Sequence, residues 1–125
     1  MLQLDHLILR VGDAQASARF YEKLVGLRRE GHAGPFEVLR VNDDCTIDLL
    51  PEPPKDPVHL AFCMDRRAFD GVRERLRAAG VAFGGDPFVR DGRSALQAGA
   101  RGQAEALYFF DPDGHNLEVR THEPR

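Results

Sequence analysis

The stretch Y-F-F-D-P-D-G-H-N-L-E-V, from Tyr108 to Val119, decides how this chain of 125 residues folds. Its aromatic beginning and its Leu-Glu-Val end are strand formers, and the residues between them include a proline and a glycine, as turns do. The stretch therefore predicts a β-hairpin with Glu118 in the middle of the second strand. A carboxylate between Leu117 and Val119 faces either solvent or a binding site, and the strands that pair with this hairpin determine which.

The first part of the chain predicts a βαβββ module over residues 1–53. An alternating strand from Leu2 to Val11 is followed by an amphipathic helix that Asp13 caps and Gly26 ends. Three short strands follow, separated by glycine, proline, asparagine and aspartate; they are predicted at 27–30, 36–41 and 46–50.

The same order of elements recurs over residues 57–125. A strand at 58–64 precedes a helix that Asp65 caps and Gly80 ends, and three strands are predicted at 81–84, 107–110 and 116–120. The second copy is longer, and its surplus, from Asp86 to Ala106, predicts a mobile loop. Two copies of one supersecondary unit predict an α+β fold, with both modules in a single domain spanning 1–125.

Composition excludes several classes of partner. The net charge is −3 and the two signs of charge are mixed along the chain, so no basic stripe favours nucleic acid. No apolar run approaches the roughly 20 residues of a membrane-spanning helix, and the N-terminus does not resemble a secretion signal, so we expect a cytoplasmic protein. Cys45 and Cys63 are the only two cysteines, and we expect reduced, buried thiols rather than a disulfide framework.

The internal repeat places metal-ligating residue types at equivalent positions. His6 and His59 lie on the first strands of the two modules, whereas Asp48 and Glu118 lie on the last. Two imidazoles and a carboxylate suit one divalent ion, with zinc, nickel, manganese, iron and cobalt all open. The alternative is that these are half-exposed histidines and a solvated carboxylate. Direct ligation by Asp48 also stays open.

Alternation along the strands predicts which side chains line the site. Arg10, Arg40 and Arg120 fall on the same strand faces as the histidines and Glu118, together with Tyr108. Three arginines directed at one cavity would favour a substrate that carries a carboxylate, phosphonate or phosphate group. Alternatively, these arginines reach solvent or pair with carboxylates.

Four motifs resemble those of the vicinal oxygen chelate superfamily. They are L-D-H-L-I-L-R-V at 4–11, S-A-R-F-Y-E-K-L-V-G-L at 17–27, V-H-L-A-F at 58–62 and Y-F-F-D-P-D-G-H-N-L-E at 108–118. The superfamily includes glyoxalase I, bleomycin-binding proteins, fosfomycin-resistance thiol transferases and extradiol dioxygenases. The resemblance implies two βαβββ modules whose sheets curl around a cavity, with His6, His59 and Glu118 as metal ligands. It also implies a homodimer in which modules of both chains often build each site.

The chain departs from each individual branch of that superfamily. Asp48 stands where glyoxalase I carries a glutamate that transfers protons, which makes Asp48 a candidate catalytic residue. Tyr108 matches the thiol transferases, but Ile8 replaces their threonine, and Ala98 and Gly102 replace a lysine and a serine. We therefore expect a metal-dependent enzyme, either a lyase or isomerase of glyoxalase type or a thiol transferase, acting on a small oxygen-rich molecule. The alternatives are a metal-free protein that sequesters a drug on the same fold, and an extradiol-type dioxygenase.

Overall fold

The computed structural model describes residues 1–125, which form two compact units, 1–56 and 57–125. Each unit is a βαβββ module, so the fold is α+β as predicted. The first contains β1 (His6–Val11), α1 (Ala14–Phe20), a π-helical turn (Tyr21–Val25), β2 (Arg28–Ala33), β3 (Phe36–Asn42) and β4 (Cys45–Pro51). The second contains β5 (His59–Cys63), α2 (Arg66–Ala79), β6 (Ala95–Gln97), β7 (Ala104–Phe110) and β8 (Asn116–Thr121). Neither helix is long and apolar enough to cross a membrane.

Each unit is built on a mixed sheet of four strands. The strand orders are β1-β4-β3-β2 in the first unit and β5-β8-β7-β6 in the second. The first strand of each unit runs parallel to the last one, and the remaining pairs are antiparallel. The helix between the first two strands makes this possible, because a parallel pair needs a crossover connection.

The helices begin and end where their capping residues predict. The carboxylate of Asp13 accepts a hydrogen bond from the backbone N–H of Ala16, and the carboxylate of Asp65 accepts one from that of Ala68. Gly26 and Gly80 take left-handed conformations just beyond the last helical turns, with φ of 96° and 69°. These local signals are confirmed because a cap depends on residues only three or four positions apart.

In the second unit α2 covers one face of the sheet and leaves the other open. Its apolar stripe of Phe69, Val72 and Leu76 is fully buried. Leu117 and Val119, on alternate positions of β8, are fully buried too. On β5, by contrast, the exposed residues His59, Ala61 and Cys63 share one face. The open face is therefore available for a site.

The predicted hairpin over 108–119 is confirmed. The carboxylate of Asp111 accepts hydrogen bonds from the backbone N–H groups of Asp113 and His115, both at 2.9 Å, which fixes the turn. Gly114 adopts a positive φ of 83°, where glycine is favoured. The resulting register pairs Tyr108 directly with Glu118.

The predicted strand at 81–84 is wrong. Only Gly84 makes a bridge, to Tyr108, and the chain then folds back so tightly that a Cβ on Gly84 would lie 1.9 Å from the carbonyl oxygen of Val89. The prediction of one continuous loop over 86–106 is also wrong in part. Residues 95–97 form β6, the edge strand on β7, and β7 itself begins at Ala104.

Glu105 ties helix α2 to the sheet on the side away from the open face. Its carboxylate accepts hydrogen bonds from Arg66, Arg73 and Ser94 at 2.7, 3.0 and 2.6 Å. Burial favours the neutral acid, but the hydrogen bonds and the charge of Arg66 outweigh it and lower the pKa of Glu105 to about 2. The unit is therefore held together by a charged cluster as well as by its apolar core.

Candidate metal and substrate site

Strand register brings the predicted site residues of the second unit onto one face. Ala61 of β5 and Tyr108 of β7 both lie opposite Glu118 of β8. His59 lies opposite Asn116, two positions from Glu118 on the same face. Directly paired residues project to the same side of a sheet, so His59, Glu118 and Tyr108 are neighbours.

Glu118 is buried and held from three directions. It is only 3% exposed. Oε2 accepts a hydrogen bond from Arg120 at 2.8 Å, and Oε1 lies 3.1 Å from Nε2 of His59. The hydroxyl of Tyr108 also interacts with this carboxylate. Burial together with the charge and hydrogen bond of Glu118 raises the pKa of Tyr108 to about 12, so its phenol stays protonated at neutral pH.

The ring of His59 is oriented as metal-binding histidines usually are. Its Nδ1 lies 2.8 Å from the carbonyl oxygen of Asn116, which only accepts hydrogen bonds, so Nδ1 carries the hydrogen. In the neutral ring Nε2 then presents a lone pair to Oε1 of Glu118. Nε2 of His59 and Oε1 of Glu118 lie 3.1 Å apart on one face of the sheet, and imidazole nitrogen and carboxylate oxygen are both ligands of divalent transition metals. The donor set in this unit therefore fits a metal ion.

Beside His59 and Glu118 lies an open pocket of about 300 Å³. Its floor is the open face of β5 and β8, and its rim is the connection between β6 and β7. The lining residues are His59, Ala61, Cys63, Ala98, Gly99, Ala100, Arg101, Glu118, Arg120 and His122. The pocket is large enough for a small metabolite rather than a polymer.

In the first unit the same register recurs around His6. Asp48 lies opposite Ile8, two residues after His6, as Glu118 lies opposite the residue two after His59. Nδ1 of His6 lies 2.7 Å from the carboxylate of Asp5, and this hydrogen bond raises the pKa of His6. It also leaves Nε2 as the free ring nitrogen. The hydroxyl of Thr46 donates to Oδ1 of Asp48 at 2.9 Å.

Neither unit by itself contains three histidine, cysteine, aspartate or glutamate side chains grouped to hold a metal ion. The second unit supplies His59 and Glu118, whereas His6 and Asp48 belong to the first. Ligation by His6, His59 and Glu118 therefore stays a prediction, as does a catalytic role for Asp48 and Tyr108.

The three arginines predicted to bind substrate already have partners within the protein. Arg40 donates from two nitrogens to Glu30, at 2.9 and 3.0 Å. Arg10 lies 3.8 Å from Glu52. Arg120 is buried, and besides Glu118 it contacts backbone carbonyls at the end of β6 and in the connection that follows. Substrate binding by any of the three stays a prediction.

Sequence reasoning missed three contributors to this region. Asn116 orients His59 through its backbone carbonyl. Because every residue has such a carbonyl, the sequence gives no indication of this role. His115 is buried, and its Nδ1 accepts a hydrogen bond from the backbone N–H of Val58, which ties the hairpin turn to the start of β5. Arg101 lines the pocket from a G-x-x-G turn that lies within the segment predicted as a mobile loop. Both cysteines are free thiols, as predicted, but the prediction that they are buried is wrong: Cys45 is half-buried and Cys63 is exposed on the open face of β5.

Comparison with known proteins places this geometry in context. Residues 3–119 match the Glyoxalase/Bleomycin resistance protein/Dioxygenase superfamily. The chain is 30% identical to glutathione transferase FosA of Serratia marcescens, covering 97% of this chain and 82% of that protein. It is 27% identical to metallothiol transferase FosB of Lysinibacillus sphaericus, covering 94% and 81%. The solved structure of oxidase ChaP-H1 is similar with a TM-score of 0.83 and 31% identity, covering 98% of each chain.

Proposed function

Because the chain belongs to the Glyoxalase/Bleomycin resistance protein/Dioxygenase superfamily, we propose that it is a metal-dependent enzyme acting on a small oxygen-rich substrate. Among the activities of the superfamily, we propose addition of a thiol to an electrophilic carbon of that substrate: a carbon–sulfur bond forms, the carbon–oxygen bond at that carbon breaks, and the released oxygen takes up the proton that the thiol loses. The similarity to glutathione transferase FosA and to metallothiol transferase FosB, over more than nine-tenths of this chain, supports this choice.

The observation that carries the proposal is the orientation of the histidines. Nδ1 of His59 is anchored on a carbonyl and Nδ1 of His6 on a carboxylate, so each ring keeps Nε2 for a ligand. We propose that His6, His59 and Glu118 hold one divalent ion, with the two modules contributed by one chain or by two chains of a homodimer. When bound, the metal would act as a Lewis acid that polarises a substrate oxygen.

The neighbouring side chains would perform the remaining tasks. Arg120 and Tyr108 hold the carboxylate of Glu118 in one orientation, which leaves less reorganisation for binding. With its pKa raised to about 12, Tyr108 serves as a hydrogen-bond donor at neutral pH and not as a base. We propose Asp48 as the acceptor of the thiol proton, because Thr46 fixes one of its oxygens and leaves the other for proton transfer.

Metal content of the tag-free protein, measured by plasma mass spectrometry, tests the proposal. We expect close to one divalent ion per site in the wild type and loss of that ion in His59→Ala. His122→Ala is the matched control, because His122 lines the same pocket but is not a proposed ligand, and it should keep its metal.

The identity of the ion separates the remaining alternatives. Manganese or zinc with consumption of glutathione would support thiol transfer, whereas iron with oxygen uptake would favour oxidation, the chemistry that the name of ChaP-H1 states. Absence of metal after reconstitution with zinc, nickel, manganese, iron and cobalt would contradict the proposal and favour a metal-free binding protein.

A further inference from the structure

The connection between β6 and β7 forms a closed turn at the rim of the pocket. The backbone N–H of Gly99 donates to the carbonyl of Gly102, and the N–H of Gly102 donates to that of Gly99, both at 3.0 Å. Ala100 and Arg101 occupy the two positions at its tip. This reciprocal pair of bonds defines the turn 99–102, which presents Arg101 beside His59 and Glu118 in the pocket.

Arg120, on strand β8 at the floor of the pocket, holds the turn 99–102 in place. Its terminal nitrogens donate to the carbonyls of Gln97, Ala98 and Gly102 at 3.1, 3.2 and 2.9 Å, and to Glu118 at 2.8 Å. A guanidinium has four terminal N–H groups, so these four acceptors engage all of them. Arg120 thus holds the turn in a fixed place relative to Glu118 and has no terminal donor left for a substrate.

The turn lies directly against the guanidinium of Arg120. A Cβ on Gly99 would lie 2.4 Å from Cζ of Arg120, so only glycine fits there without displacement of one of them. The position of the tip is therefore set by packing as well as by hydrogen bonds.

Arg101 differs from Arg120, the other arginine of the pocket, because it takes part in no ion pair. A terminal nitrogen of its guanidinium lies 3.3 Å from Sγ of Cys63, and a thiol sulfur is a weak acceptor. The side chain is otherwise exposed at the pocket rim. Glu118, the carboxylate of the pocket, is already held by Arg120 and His59. Arg101 is therefore an arginine of the pocket that makes no ion pair within the protein.

We infer that Arg101 is a substrate-binding residue that recognises an oxyanion group of the substrate, a carboxylate, phosphate or phosphonate. The inference rests on the proposed function and specifies its substrate class. A planar guanidinium donates two parallel hydrogen bonds to such a group, and a partner with full negative charge replaces the weak contact to Cys63.

Titration with two simple anions tests the inference. Methylphosphonate and acetate are added at constant ionic strength to the metal-free and to the zinc-loaded protein, and binding is followed through the guanidinium Nε–H resonances in NMR spectra. We expect Arg101→Gln to raise the Kd of the preferred anion about tenfold or more, the loss of one charge-assisted bidentate contact. Arg101→Lys should recover part of the affinity, because lysine keeps the positive charge but lacks the planar pair of N–H donors of a guanidinium.

Arg93→Gln is the matched control, since Arg93 is exposed in the connection that precedes β6 and does not line the pocket. It removes the same charge and should leave the Kd within about twofold of the wild type, as a screened surface charge would. The anion that binds distinguishes a phosphonate or phosphate substrate from a carboxylate one.

The inference is overturned if neither anion binds the wild type, if Arg101→Gln binds as the wild type does, or if Arg93→Gln weakens binding equally. Zinc affinity is measured separately for each variant. Failure of the wild type to bind metal would refute the proposed function, while the titration of the metal-free protein would still decide the role of Arg101.

Discussion

Replacing Arg120 by methionine should destabilise the second unit more than any exposed arginine substitution. The change keeps much of the apolar stem but leaves Glu118 charged, 3% exposed and without its cationic partner. It also removes the bonds that hold the turn 99–102.

The magnitude follows from burial. The side chains of Arg120 and Glu118 are 7% and 4% exposed, so the pair is buried on both sides. Breaking a buried pair by removing one partner costs about 3–5 kcal/mol, because the remaining charge stays desolvated. Two of the three carbonyls, those of Ala98 and Gly102, belong to an exposed connection, and that of Gln97 ends the edge strand β6. Water therefore replaces Arg120 there, and each lost bond adds at most about 1 kcal/mol. We therefore expect a loss of about 3–8 kcal/mol, a large part of the roughly 5–15 kcal/mol of a typical domain.

Urea unfolding of the metal-free protein, followed by far-UV circular dichroism, measures this loss. Arg93→Met is the control and should change the free energy of unfolding by no more than about 0.5 kcal/mol. Arg120→Lys should lose less than Arg120→Met, since it keeps a charge beside Glu118. In the double variant Glu118→Gln with Arg120→Met, no unpaired charge remains, and stability should recover by about 1–3 kcal/mol relative to the sum of the single losses.

Two results would refute the reasoning. One is a decrease in the free energy of unfolding of Arg120→Met by less than about 1 kcal/mol, no larger than that of Arg93→Met. Such a small decrease is typical of an exposed ion pair. The other is strict additivity of the two single substitutions, since residues that contact each other should be coupled.

Three further predictions concern the second unit. Because the pKa of Glu105 is lowered to about 2, its carboxylate stabilises the fold above its ordinary pKa of 4.5, and this contribution is lost as the pH falls toward 2; Glu105→Gln should flatten that part of the pH dependence of unfolding by urea. Gly99→Ala should lower the thermal midpoint and weaken anion binding, because its Cβ would displace Arg120; unchanged values would contradict the described packing. His115→Ala should cost about 2–4 kcal/mol through a cavity and an unsatisfied N–H of Val58, with partial rescue in His115→Asn, and equal losses in both would argue against the hydrogen bond.

Much of the fold was readable from the sequence because its signals are local. Asp13 and Asp65 cap their helices through bonds to residues three positions away. The turn after Phe110 is closed by Asp111 and Gly114 within five residues. The repeat was equally informative, since two copies of one order of elements predict the same sheet twice, and both sheets have the corresponding strand order.

The alternation along the strands also identified the open face. His6 and His59 are exposed on their strands, and in each unit the last-strand carboxylate, Asp48 or Glu118, lies opposite the residue two after the histidine. This register follows from a side-chain period of two, which a sequence displays directly.

The tertiary structure decided what depends on partners far apart in the chain. The residues near 81–84 do not indicate that Gly84 makes only a single bridge, or that 95–97 forms the edge strand of the sheet. The close approach of Val89 to Gly84, which is a tertiary contact, determines both. The partners of each arginine are equally nonlocal: the sequence places Arg120 on the face of the site, but only packing shows that carbonyls more than fifteen residues away engage its donors. The sequence thus determined the modules and the face that carries the site. The tertiary structure decided which arginine on that face keeps its hydrogen-bond donors for a substrate. The reason is that those donors become engaged only through contacts that form when the chain folds.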